Sequence, residues 1–138
     1  MKAQLKQTVI APLFSRIPVA FLAKLTGMNL IIVYYHVISD DSLPHVRNIY
    51  PYKSCSQFSS DIEWLLKNYT PVGLNDVMTS ITIGKPFPSR AFLLTFDDGF
   101  REMSDIVAPL LLLKGVPATF FITSGFIDNK LLGHHQKS

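Results

Sequence analysis

Leu93-Leu94-Thr95-Phe96-Asp97-Asp98-Gly99 carries an apolar run straight into two adjacent carboxylates and a glycine. The run from Ala91 to Phe96, bounded by Pro88 and Gly99, has the length and composition of a strand buried on both faces. Such a strand cannot hold two charges in its middle, because an unpaired buried carboxylate costs several kcal/mol or gives up its charge. Asp97 and Asp98 are therefore expected just past its carboxyl end, at the mouth of a sheet, where α/β folds bind ligands and do chemistry. Two neighbouring acids there can divide the work, one coordinating a cation and the other taking a proton from water. Gly99 permits a tight turn or a close approach of ligand to backbone. A second reading makes both acids the N-terminal residues of the next helix, favoured there by its dipole. The local sequence leaves both open.

Working outward, Leu30 to Tyr35 (Leu-Ile-Ile-Val-Tyr-Tyr) is β-branched and aromatic, a second buried strand. The polar stretch from Ser39 to Ser54, with Pro44 and Pro51, reads as a long loop, and loops of that length are often functional. Phe58, Ile62, Leu65, Leu66 and Tyr69 recur at helical spacing before Pro71. Val72 to Leu74 can form a short strand, and Asn75 can cap a helix that Gly84 closes. After Gly99 a helical pattern uses Met103, Ile106, Val107, Leu110 and Leu113, with Pro109 inside it to kink it or begin a new turn. Ala118 to Thr123 is the next strand. Strands alternating with helices predict an α/β fold with parallel pairing through right-handed crossovers.

Four ordered segments resemble the polysaccharide deacetylase (NodB-like) family. Thr95-Phe96-Asp97-Asp98-Gly99 resembles its first signature. Val33-Tyr34-Tyr35-His36-Val37 is similar to its first strand with the Tyr-His ending. Ser56-Gln57-Phe58 resembles the start of its next helix, and Gly115-Val116-Pro117-Ala118-Thr119-Phe120-Phe121 the strand after the signature helix. The resemblance runs from about Leu30 to Lys130. It implies a partial (β/α) barrel and hydrolysis of acetamido groups on N-acetylated oligo- or polysaccharides. It also implies a divalent metal, zinc, held by Asp98, with Asp97 as catalytic base on the metal-bound water and His36 lining the active-site mouth.

In the family, two histidines of a later His-Ser/Thr-x-x-His segment complete the metal site and a still later histidine is the general acid. The residues after Thr123 contain no such segment. A catalytic zinc takes about three protein ligands, so these 138 residues supply one clear ligand, and activity is not expected of them alone. His134 and His135 are adjacent, which on a helix points them about 100° apart, and they lie in a polar tail where solvated residues are the rule. His45 sits in the long loop. His36 has a second reading as a polar residue closing its strand. A full barrel takes at least about 200 residues, so the expectation is truncation after three or four strands, with exposed sheet edges that favour self-association. The alternative function is a non-catalytic fragment binding a sugar, a membrane surface or a partner chain.

Composition bounds the rest. With 48% hydrophobic and 17% charged residues, the chain is globular rather than disordered. Its net charge of +3 is the balance of thirteen scattered Lys and Arg against ten Asp and Glu, without the stripes of a nucleic-acid footprint. The single Cys55 excludes an intrachain disulfide and any cysteine-built zinc site. Residues 1–28 are expected to form an N-terminal amphipathic helical segment ahead of the domain at 29–138. Arg16, Lys24, Pro12 and Pro18 interrupt its apolar run, leaving it short of the about 20 apolar residues of a spanning helix and a poor signal peptide. It can lie on a membrane or cover the bottom of the sheet. A cytoplasmic or membrane-peripheral location follows as the expectation.

Overall fold

The computed structural model describes residues 17–125. The first sixteen residues of the N-terminal segment, and with them part of its apolar run, lie outside them, as do His134 and His135. Helix α1 (Val19–Thr26) precedes β1 (Leu30–Tyr35), the short α2 (Pro44–Arg47) and α3 (Cys55–Asn68). Next come β2 (Thr70–Val72), α4 (Leu74–Ile83) and β3 (Ala91–Phe96). A π-helical turn (Met103–Val107) then runs into α5 (Ala108–Lys114), and β4 (Ala118–Phe120) follows. All pairings are parallel, the α/β alternation expected of a partial (β/α) barrel.

Strand β3 is the centre of the sheet because every one of its six residues is buried. Strand β1 pairs with it along its whole length, from Leu30 opposite Ala91 to Tyr35 opposite Phe96. On the other flank, β2 pairs with residues Ala91 to Leu93 and β4 with Leu94 to Phe96. Two short strands thus share one edge of β3 end to end, and β4 occupies the half nearest the carboxylates.

Alternation sorts side chains between two faces. Phe92, Leu94 and Phe96 pack with Phe58, Ile62 and Leu65 of α3 and with Val107 and Leu111 of the π-turn and α5. Burying each large apolar side chain contributes about 1.5–3 kcal/mol, so α3 is held by these three residues. On the other face Ala91 and Leu93 meet Val72 and Val77. Ile32 and Tyr34 of β1 also point to that second face and stay 62% and 67% exposed.

Helix α3 starts one turn earlier than the apolar spacing indicates, because Ser54 and Gln57 form a capping box. The Ser54 hydroxyl accepts from the Gln57 amide (3.2 Å) and the Gln57 side chain accepts from the Ser54 amide (3.0 Å). Helix α4 is capped at Gly73 rather than Asn75: the Asp76 carboxylate accepts from the Gly73 amide at 2.9 Å. Strand β2 lies two residues before the expected Val72–Leu74, Pro71 being tolerated in a short strand at the sheet's flank. Pro109 falls in the first turn of α5, where its missing donor costs least. Strand β4 ends at Phe120, three residues short of expectation. The polar Ser39–Ser54 stretch contains the helix α2, on which His45 sits, and an isolated bridge from Ile38 to Lys53.

Candidate active site

The parallel register delivers His36 and Asp97 to neighbouring positions at the carboxyl ends of β1 and β3. The Asp97 amide donates to the Tyr35 carbonyl at 3.1 Å, extending the ladder one residue beyond the strands. Adjacent strands lie about 4.8 Å apart, so the two side chains share one mouth of the sheet. Both are half-buried, as is Asp98. Among the described residues none gives the Asp97 carboxylate a hydrogen bond or ion pair, which leaves it open to a ligand.

The chain then turns through two successive left-handed residues, Asp98 (φ 72°) and Gly99 (φ 69°). Glycine takes that conformation freely, whereas for aspartate it is uncommon and strained. A side-chain carbon on Gly99 would also run into a methyl of Ile122. That close approach exists because the Phe121 amide donates to the Phe96 carbonyl at 2.8 Å, drawing the chain after β4 over the turn. Helical structure resumes only around Met103, so neither acid is a first-turn or capping residue. The helix-start reading of the two aspartates does not hold.

One further residue joins this mouth. Tyr50, from the long loop, stacks its ring at a tilt 5.0 Å from His36, while Tyr34 approaches the same imidazole edge-on at 5.9 Å. Burial pushes the Tyr50 phenol up to about 12, with the negative charge of Asp98 adding to the shift. It therefore stays a neutral hydroxyl at physiological pH. The electrostatic link places Asp98, Tyr50 and His36 in one neighbourhood. Tyr50 was not identified from sequence; the length of its loop was the available signal.

Beside His36 the loop encloses a cleft of about 390 Å³, walled by Tyr34, Tyr50, Pro51, Tyr52 and Lys53. Its wall is fixed in place. The Tyr52 hydroxyl accepts from the Leu43 amide (2.9 Å) and donates to the Asp41 carbonyl (2.8 Å), and the Ser39 amide donates to the Lys53 carbonyl (3.1 Å). Asp61 of α3 holds the Lys53 ammonium at 2.7 Å and accepts from the Tyr35 hydroxyl at 2.9 Å. Burial, the hydrogen bond to Asp61 and its charge together push the Tyr35 phenol well above its usual value.

Asp98 offers one carboxylate, but among the described residues no three His, Cys, Asp or Glu side chains come together. A zinc site needs about three protein ligands, so these residues do not form one by themselves.

Comparison with known proteins bears on the same segment. The sequence profile described as polysaccharide deacetylase matches residues 84–136, which include Asp97 and Asp98. The poly-beta-1,6-N-acetyl-D-glucosamine N-deacetylase of Escherichia coli K12 is 32% identical over 74 residues, covering 53% of this chain and 11% of that protein. A de-N-acetylase from Aggregatibacter actinomycetemcomitans superposes with a TM-score of 0.61 at 26% identity, over 72% of this chain and 39% of that one. Residues 84–136 are thus similar to part of a polysaccharide deacetylase domain. IcaB from Ammonifex degensii has the same fold, with a TM-score of 0.60 at 22% identity over 70% of this chain and 39% of its own. The chain thus spans about a ninth of the length of the curated relatives and about two fifths of these structures. No helix among the described residues is long and apolar enough to cross a membrane.

Proposed function

We propose that the domain at residues 29–138, behind a leading segment at 1–28, belongs to a carbohydrate N-deacetylase acting on polymers of N-acetylglucosamine. The reaction adds water across the acetamido C–N bond, releasing acetate and leaving an amine on the sugar. The observation that carries this reading is the open Asp97 carboxylate level with His36 at the sheet mouth, within the segment that the deacetylase profile matches.

Amide hydrolysis needs a base for the attacking water and an acid for the departing nitrogen. Asp97 takes the water proton, since its carboxylate is committed to no described partner. His36 stands at the next strand end and lines the mouth beside it, while the acid for the departing nitrogen would be a later histidine, as the family resemblance implies, outside the described residues. The neutral Tyr50 hydroxyl supplies a donor beside them. Asp98 is the carboxylate offered to a divalent cation, zinc in the family resemblance, whose other ligands would come from outside the described residues. A cation bound there would polarise the carbonyl and acidify water.

The test follows acetate and free amine released from β-1,6-linked N-acetylglucosamine oligomers by the full-length protein with zinc supplied, alongside its metal content. Stoichiometric release of both products is expected, and Asp98→Asn should lower the zinc content. Intact oligomers after prolonged incubation would refute the proposal.

A further inference from the structure

We infer that Asp61 is a positioning residue for the sheet mouth: from α3, its carboxylate ties the loop that carries Tyr50 to the strand end that carries His36. The inference rests on the deacetylase reading for the activity that this tie supports.

One oxygen of Asp61 serves two arms. It accepts from the Lys53 ammonium at 2.7 Å and from the Tyr35 hydroxyl at 2.9 Å. The three side chains come from three segments: helix α3, the exit of the Ser39–Ser54 loop and the end of β1. The Tyr35 arm is stiff. Its ring stacks on Phe96 at 5.8 Å and meets Phe58 edge-on at 5.2 Å, which fixes the direction of the hydroxyl. The Tyr35 carbonyl accepts the Asp97 amide, and His36 is the next residue.

The Lys53 arm reaches the opposite wall of the mouth. The Lys53 carbonyl accepts from the Ser39 amide at 3.1 Å, so the loop leaves and returns at one point. Tyr50 precedes Lys53 within that loop and packs its ring 5.0 Å from His36. Fastening Lys53 to α3 therefore sets how closely Tyr50 sits against His36.

Exposure separates positioning from stability. Lys53 and Asp61 keep 46% and 32% of their side-chain surface in water, and a solvated ion pair adds little to folding. Placement near the chemistry matters more, since a displacement of about 1 Å can lower a rate about 10²-fold.

The test follows amide hydrogen exchange and acetate release from β-1,6-linked N-acetylglucosamine oligomers in the full-length protein and its Asp61→Ala variant. Alanine suits a helix interior, so the thermal midpoint should stay within about 5 °C. Amides of residues 39–54 should exchange about tenfold faster while those of β3 keep their rates. The value of kcat/KM should fall about tenfold. In a Tyr50→Ala background the same change should lower it by less than about twofold, because the ring it positions is gone. Lys53→Met cuts the loop arm alone and should reproduce the faster exchange, which keeps the test open should Asp61→Ala fold poorly. Unchanged loop exchange, unchanged kcat/KM, or losses that multiply in the double variant overturn the positioning role. Release that Asp61→Ala leaves untouched refutes positioning and spares the deacetylase. Faster loop exchange in a protein that releases no acetate supports the tie through Asp61 and refutes the deacetylase.

Discussion

The backbone amide of Asp97 reaches across to the carbonyl of Tyr35 at 3.1 Å, one residue past the last paired position of β1 and β3. That bond sets the carboxylate pair level with His36. It is a consequence of register: a shift by one residue would turn alternate side chains to the other face and break the buried pattern of β3.

The left-handed backbone at Asp98 (φ 72°) separates two substitutions that remove the same carboxylate. Asp98→Ala keeps a side-chain carbon in an unfavourable region and Asp98→Gly does not. The glycine variant should be the more stable of the two by about 1 kcal/mol, read from chemical denaturation. Equal stabilities would show that no strain is held there.

Gly99→Ala should be more damaging, because the added carbon meets Ile122 as well as a positive φ. A loss of about 2–3 kcal/mol is expected. Ile122→Ala in the same chain should recover part of it, the part due to contact rather than to φ. Two losses that simply add would place Ile122 away from the turn.

Tyr50 and Tyr35 give the fold an alkaline limit. Both phenols are raised in the folded chain, Tyr50 to about 12. Below pH 10, the ordinary phenol value, both states are protonated and the stabilisation is complete. Above it the unfolded chain loses protons first, so stability falls from pH 10 toward 12. Tyr50→Phe should flatten that decline in a series of denaturant midpoints, and an unchanged slope would remove Tyr50 from the explanation.

Ile32 and Tyr34 leave apolar surface on the second face of β1, and among the described residues no strand pairs with the outer edge of β1. Exposed edges and apolar faces promote association. The 138-residue chain should elute above its monomer mass in light-scattering chromatography, and Ile32→Lys should shift it toward monomer. A monodisperse monomer at all concentrations would contradict this.

Much of this arrangement was legible in residues whose physics is local. β3 announced itself through six apolar residues ending in two charges, and β1 through β-branched and aromatic composition. Gly84 marked a helix end, and it is left-handed in the structure. What stayed hidden depended on contacts distant in sequence. The Ser54–Gln57 box is the local exception, lying ahead of the apolar spacing that begins at Phe58. The meeting of Tyr50 with His36 is set by how the Ser39–Ser54 loop folds back, and loop polarity carries no information about that path. Strand β4 was read too long because Phe121 to Thr123 are apolar or β-branched. Pairing ends at Phe120, where the partner strand β3 ends at Phe96.

The central claim is that Asp97 removes a proton from water at this sheet mouth. Its most direct test compares kcat for acetate release by the full-length protein with that of Asp97→Asn, at matched zinc content. We predict a loss of at least about 10²-fold, the scale of general base catalysis, with zinc retained. An Asp97→Asn variant that turns over at the unmutated rate would contradict the account.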